Sequence, residues 1–101
     1  MSLAVLNSLD DMIRHHKGRS FGNRCAAEAY REAKVVVYEC PIEIREAAQL
    51  LMETANGYRR LRANAKDAEW ELLDYYAIRA QAFERASVLC VDEWTNSGGF
   101  F

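Results

Sequence analysis

The stretch from Asp67 to Trp94 constrains the fold of this chain more than any other part of the sequence. It contains neither glycine nor proline, and its apolar residues recur at alternating three- and four-residue steps, the spacing of one face of an α-helix. At 1.5 Å per residue, such a helix is about 42 Å long. The whole chain has 101 residues, which is the size of one domain. We therefore expect this helix to be the spine of the molecule.

The predicted spine is apolar on two sides. The first stripe consists of Leu73, Tyr76, Ala80, Phe83, Ser87, Cys90 and Trp94. The second stripe lies more than 100° round the axis and consists of Tyr75, Ile78, Ala82, Ala86 and Leu89. A helix of this kind is either buried at the middle of its own bundle or covered on its second side by a partner. Since the other predicted helices are short, the sequence favours self-association or a bound partner.

Two helices are predicted in the first forty residues. Ser2 is a candidate cap for the first, and Gly18 is its expected left-handed stop. The second begins after Ser20 or Asn23 and ends before Pro41, because the residue before a proline is disfavoured in a helix. Its apolar face consists of Cys25, Ala26, Ala29, Tyr30, Ala33 and Val37. The run "KVVVYEC" is rich in strand formers, which leaves a short strand as an alternative there.

A third helix is predicted from Pro41 to a stop at Asn56–Gly57. Its apolar stripe is Ile44, Ala47, Leu51 and Thr54, and Tyr58 and Leu61 would continue the same spacing. Asp67 is the expected cap of the spine. These elements predict an all-α fold, a compact bundle of about four helices with a long C-terminal helix as spine. Residues 1–96 form one bundle domain, and residues 97–101 a flexible tail.

Composition excludes several classes of protein. Half of the residues are apolar, 28% are charged and the formal net charge is −2, which is typical of a globular protein without a general attraction for nucleic acid or anionic membrane. Three widely spaced cysteines lack the C-x-x-C spacing of zinc sites, which indicates reduced thiols and a cytoplasmic location. No cofactor motif is present in the sequence.

Two basic runs stand out, "RHHKGRSFGNR" at 14–24 and "RRLRANAK" at 59–66. Both fall at predicted helix ends, where positive side chains complement the negative end of the helix dipole. The neighbouring histidines point about 100° apart on a helix, which argues against a shared metal. Contact with nucleic acid remains an alternative, although aromatic residues do not alternate with the arginines as stacking platforms would.

The segments "EIREAAQLL" (43–51) and "ELLD" (71–74) together resemble the MazG-like all-α nucleotide pyrophosphohydrolases. The resemblance implies carboxylates that hold Mg²⁺ against a triphosphate, here Glu46, Glu71 and Asp74. Arg45 and Gln49 stand where that family has two further carboxylates. A divergent enzyme of this kind is therefore the alternative reading.

The favoured interpretation is a small cytoplasmic protein-interaction module, such as a regulator, inhibitor or adaptor, that acts without catalysis. Its partner is expected to be another protein or a second copy of the chain, in a homodimer. The residues that we expect to contact the partner are Arg59, Arg60, Arg62, Trp70, Tyr75, Ile78 and Leu89.

Overall fold

The computed structural model describes residues 3–39 and 43–96. In these two ranges the chain forms four helices and no strand: α1 (Leu3–His15), α2 (Phe21–Glu39), α3 (Ile44–Asn64) and α4 (Trp70–Asn96). The predicted all-α bundle with a long C-terminal helix is confirmed. The strand alternative is wrong for 34–39, which are the last residues of α2. The predicted roles of Ser2 and Pro41, and the predicted tail at 97–101, fall outside the described residues.

Helix α4 is the spine of the bundle. Helix α3 runs antiparallel along it, since Tyr58 near the end of α3 meets Tyr75 near the start of α4, whereas Ala48 near the start of α3 accepts a hydrogen bond from Ser87 farther along α4. Helix α2 packs on another side of α4, and α1 packs mainly on α2. Alanines dominate the buried faces, which lets the helix axes approach closely.

The start of α2 follows the sequence prediction, but the end of α1 does not. The Ser20 hydroxyl accepts the Asn23 backbone N–H at 3.1 Å and caps α2. Gly18 does not adopt the expected left-handed conformation. Instead, Asn23 occupies the space beside it, and an added Cβ at Gly18 would lie 2.5 Å from the Asn23 Nδ2. A side chain at position 18 would therefore require the end of the Asn23 side chain to shift.

Helix α3 is longer than predicted because it does not stop at Asn56–Gly57. A glycine inside a helix costs about 1 kcal/mol relative to alanine, and the contacts of Tyr58 with α4 outweigh that cost. Its ring stacks on Phe83 with centroids 5.9 Å apart. The predicted cap of α4 is also wrong in position. Asp67 lies in the preceding turn, and the Glu69 carbonyl accepts the first helical N–H groups.

The second apolar stripe of α4 is largely covered within the chain. Ala82 and Ala86 are buried, and the three larger residues are half-buried. Ile78 lies against Gly22 at the start of α2, and Leu89 lies beside Val5 of α1. Helices α2 and α1 therefore cover this side of α4. The prediction of self-association therefore loses the reason first given for it, although association itself is not tested by this observation.

In the described part of the chain, no helix has both the length and the apolar character that crossing a bilayer requires.

Candidate functional site

One end of the bundle carries a group of large side chains, which we call the end patch: Trp70 and Leu72, which are exposed, and Phe21 and Tyr75, which are half-buried. Trp70 is 61% exposed and Leu72 is 40% exposed. The rings of Phe21 and Trp70 meet edge to face with centroids 6.3 Å apart. Beside Trp70 the other three residues of the patch line a shallow groove of about 420 Å³, together with Glu69 and Glu71.

Three elements position the end patch. The cap formed by Ser20 fixes the start of α2 and so places Phe21. The short connection between α3 and α4 places Trp70 and Leu72 on the first turn of α4. Tyr75 is positioned by α3, because its ring packs edge to face on that of Tyr58 with centroids 6.4 Å apart. The patch is therefore an apolar surface held by rigid helices, which is a property of protein-binding sites.

Exposed apolar side chains also follow the outer side of α3. We call Leu50, Thr54, Gly57 and Leu61 the outer stripe. Leu50 is 50% exposed and Leu61 is 48% exposed. Around Gly57 the stripe widens into a groove of about 590 Å³ lined by Thr54, Gly57, Tyr58, Arg60, Leu61 and Asn64. The spacing of the stripe alternates between four and three residues, as in the seam of a coiled coil.

The predicted arginines divide into two groups. Arg59 points toward α4, where it pairs with Glu84 at 3.0 Å and donates to Asn56 at 2.9 Å. Arg60 and Arg62 are exposed and form no ion pair with any described residue. Arg60 borders the outer stripe. Of the other predicted contact residues, Trp70 and Tyr75 belong to the end patch, whereas Ile78 and Leu89 lie against α2 and α1.

A buried arginine links α4 to both neighbouring helices. Arg79 is 2% exposed. Its guanidinium pairs with Glu28 at 3.4 Å and with Glu32, both on α2. It also lies over three rings, Tyr58 at 5.0 Å, Tyr75 at 5.2 Å and Phe83 at 5.4 Å from its carbon. The Nε atom of Arg79 has no hydrogen-bond partner among the described residues.

The chemistry of this cluster is that of a fixed ion pair. Burial lowers the pKa of Arg79, while Glu28 acts in the opposite direction. Nearby, burial raises the pKa of the Cys25 thiol, which makes it a poor nucleophile at neutral pH. The sequence analysis missed Arg79. The available signal was a charge placed four residues from both Tyr75 and Phe83, and two glutamates four residues apart on α2.

A smaller cavity of about 270 Å³ lies between the start of α2 and α4. His16 stacks on Tyr30 at 5.8 Å, and its Nδ1 lies 3.1 Å from the Asn23 Oδ1. Burial raises the pKa of Tyr30, although a hydrogen bond with Arg85 acts in the opposite direction. The polar groups of the lining therefore largely bond to one another.

The residues of the alternative metal reading do not converge. Glu46 lies on α3, whereas Glu71 and Asp74 lie on α4, and all three are exposed. Among residues 3–39 and 43–96, no group of three or more histidine, cysteine or carboxylate side chains is arranged to hold a metal ion. The carboxylates that the MazG-like resemblance implied are therefore not brought together.

Comparison of the chain with protein-family models, with curated proteins and with solved structures gave no match. The function is therefore argued from the geometry of this chain.

Proposed function

We propose that the protein is a cytoplasmic interaction module that binds another protein through the end patch and performs no catalysis. The observation that supports this proposal is the exposure of Trp70 and Leu72 beside Phe21 on a rigid helix end. Tryptophan and tyrosine are enriched among the residues that dominate binding energy at protein interfaces. Burying apolar surface contributes roughly 25 cal/mol per Å², so a covered tryptophan is a strong anchor.

The partner is expected to present an apolar side chain flanked by lysine or arginine. The groove accepts one apolar anchor, and its walls carry Glu69 and Glu71. Neither glutamate is paired with a basic side chain of the described residues. Positive charge beside the anchor would therefore meet carboxylates that are free to respond, which favours association and orientation more than raw affinity.

The test is selection from a library of random peptides displayed on phage, with the full chain as target. We expect enriched peptides to share an aromatic or aliphatic anchor with flanking basic residues. Synthetic versions should bind at least about tenfold more weakly to W70A and L72A, equivalent to about 1.4 kcal/mol. The double variant E69K/E71K should weaken binding in a salt-dependent way.

The matched control is V88A, which truncates an apolar side chain that is 47% exposed but lies farther along α4, outside the end patch. It should bind the peptides as the wild type does. Melting temperatures of all variants show whether the fold is retained. Selected peptides that bind W70A and the wild type equally, or repeated selections without a shared motif, would contradict the proposal.

A further inference from the structure

The outer stripe of α3 is an apolar surface that is not buried within the bundle. Leu50 and Leu61 are about half exposed, although they lie next to the buried face that packs on α4. Between them, the Thr54 hydroxyl donates a hydrogen bond to the Leu50 carbonyl at 2.8 Å, within the same helix. The stripe is therefore largely apolar, and the hydroxyl at its centre already donates its hydrogen bond within α3.

No contact within the described chain explains why residue 57 is a glycine. It lies in the middle of α3 with ordinary helical geometry, where glycine is unfavourable. An added Cβ would have the Arg60 Nη2 as its nearest neighbour, at 3.9 Å, so no packing contact of the monomer requires a missing side chain. Because it has no Cβ, a glycine inside a helix leaves room for a second backbone to approach closely at that point.

The charged residues beside the stripe are arranged so that they can pair with the same residues of a second copy of the chain. Glu46, Glu53 and Arg60 follow at seven-residue intervals on the solvent side of the stripe, so they form one line along the helix. The line is acidic toward the start of α3 and basic toward its end. None of the three forms an ion pair with another described residue.

We propose that the outer stripe binds the outer stripe of a second copy, with the two α3 helices antiparallel about a two-fold axis. In a two-fold interface, each contact occurs twice. Leu50 of one copy then lies opposite Leu61 of the other, and Thr54 lies opposite Gly57. The small residues fall at the axis and let the backbones approach, while the leucines close the contact on both sides.

The same register pairs the charges. Glu53 of each copy lies within one turn of the level of Arg60 of the other copy, which makes two symmetry-related ion pairs. In a parallel arrangement the two-fold axis would run along the helices and place the two charge lines on opposite sides of the seam, so Glu53 and Arg60 would not meet across it. Charge therefore selects the antiparallel orientation, as charges flanking a seam do in coiled coils.

The contact is small. Helix α3 has 21 residues, about 31 Å in length, and one helix pair lies at the low end of specific interfaces. We therefore expect a reversible dimer with a Kd on the order of 10 µM at low salt. This interface uses none of the end-patch residues, so its test is independent of the proposed function.

The experiment is sedimentation equilibrium of the full chain from about 1 to 200 µM, a range that brackets the expected Kd. Wild type should pass from the 11.6 kDa monomer to twice that mass. E53R and R60E each place like charges at both ion pairs, and each should raise the Kd at least about tenfold. An equimolar mixture of E53R and R60E restores both pairs in a heterodimer and should return to within about threefold of wild type.

Two further variants separate association from folding. L61K should abolish the dimer, whereas V88K, an equally exposed apolar position on α4, should leave it intact. G57Q should raise the melting temperature of the dilute monomer, because glutamine favours a helix, and weaken the dimer, because its side chain enters the contact. A wild type that stays monomeric throughout, or charge variants that the mixture does not rescue, would overturn the proposal.

Discussion

Helix α3 has two apolar faces with similar residue spacing, of which one is buried and the other is exposed. The inner face, formed by Ala47, Ala48, Leu51 and Ala55, is buried against the bundle, and Leu51 is 0% exposed. The outer stripe begins at the neighbouring residue, Leu50, which is 50% exposed. The two leucines are neighbours on the same helix and share nearly the same local sequence. Periodicity therefore identifies an apolar face, but not what covers it.

The same contrast holds for hydrogen bonds. Ser87 donates to the Ala48 carbonyl at 2.7 Å inside the α3–α4 contact, whereas Thr54 donates to the Leu50 carbonyl at 2.8 Å on the exposed side. Both bonds have good geometry. They differ in access to water, because the Thr54 bond is exposed and the Ser87 bond is buried. Water can therefore replace the Thr54 bond when it is lost, but not the Ser87 bond.

The largest difference between the faces is expected for the two leucines. L51A should lower the free energy of unfolding by about 3 kcal/mol, because a fully buried leucine leaves a cavity when truncated. L50A should lower it by less than about 0.5 kcal/mol, as is usual for surface positions, while it weakens the dimer. Urea denaturation at low micromolar concentration or below measures the monomer. Equal losses for both variants would show that the outer stripe is covered within the chain.

Arg79 is the charged counterpart of the buried leucine. R79A should cost about 2–3 kcal/mol, mainly through the lost packing of its stem and guanidinium among three rings. Glu28 and Glu32 are 61% and 51% exposed, so water can solvate them when the arginine is removed. R79M should therefore recover most of the loss. If R79M is as unstable as R79A in urea denaturation, the ion pairs and not the packing carry the stability.

The hydroxyl comparison should give a smaller difference. S87A removes one partner of a buried hydrogen bond and leaves the Ala48 carbonyl without that donor, which should cost about 1 kcal/mol. T54A should be close to neutral, because the bond that it removes is exposed and alanine favours the helix. Paired thermal and urea denaturation of the two variants measures the difference. A costly T54A with a neutral S87A would reverse the assignment of inner and outer sides.

The smallest effect near neutral pH concerns the covered tyrosines. Burial raises the pKa of Tyr30, Tyr58 and Tyr75 above the ordinary 10.0, and that of Cys25 above 9.0. In that range the folded state retains protons that the unfolded state releases, so the free energy of unfolding falls as pH rises. Stability should be independent of these groups below about pH 9, and should decline from there through the raised values of the folded state.

Urea denaturation from about pH 8 to about pH 11 tests the direction of this dependence. Y58F keeps the ring on Phe83 and removes one ionisable hydroxyl, so its decline should be shallower than that of the wild type. A stability that rises between those pH values, or a steeper decline in Y58F, would contradict the assignment of burial as the dominant cause.

The sequence by itself determined the elements whose signals are local and agree with one another. The apolar face of α2 is buried at Cys25, Ala26, Ala29, Tyr30, Ala33 and Val37 as predicted. Ser20 caps that helix, and the stretch from 70 to 96 is one helix. In these segments spacing, capping and propensity act within one or two turns, so neighbouring residues are sufficient to decide the outcome.

Tertiary structure decided whatever depended on distant residues. Gly57 favours a stop by propensity, but Tyr58 packs on Phe83, twenty-five positions later, and the helix continues. Arg79 meets Glu28 and Glu32 across 51 and 47 positions, which spacing along one helix does not predict. Coverage of an apolar stripe is likewise a property of its neighbours, because burial free energy is gained between elements. Whether Leu50 or Leu51 faces the core is therefore settled only when α3 and α4 come together.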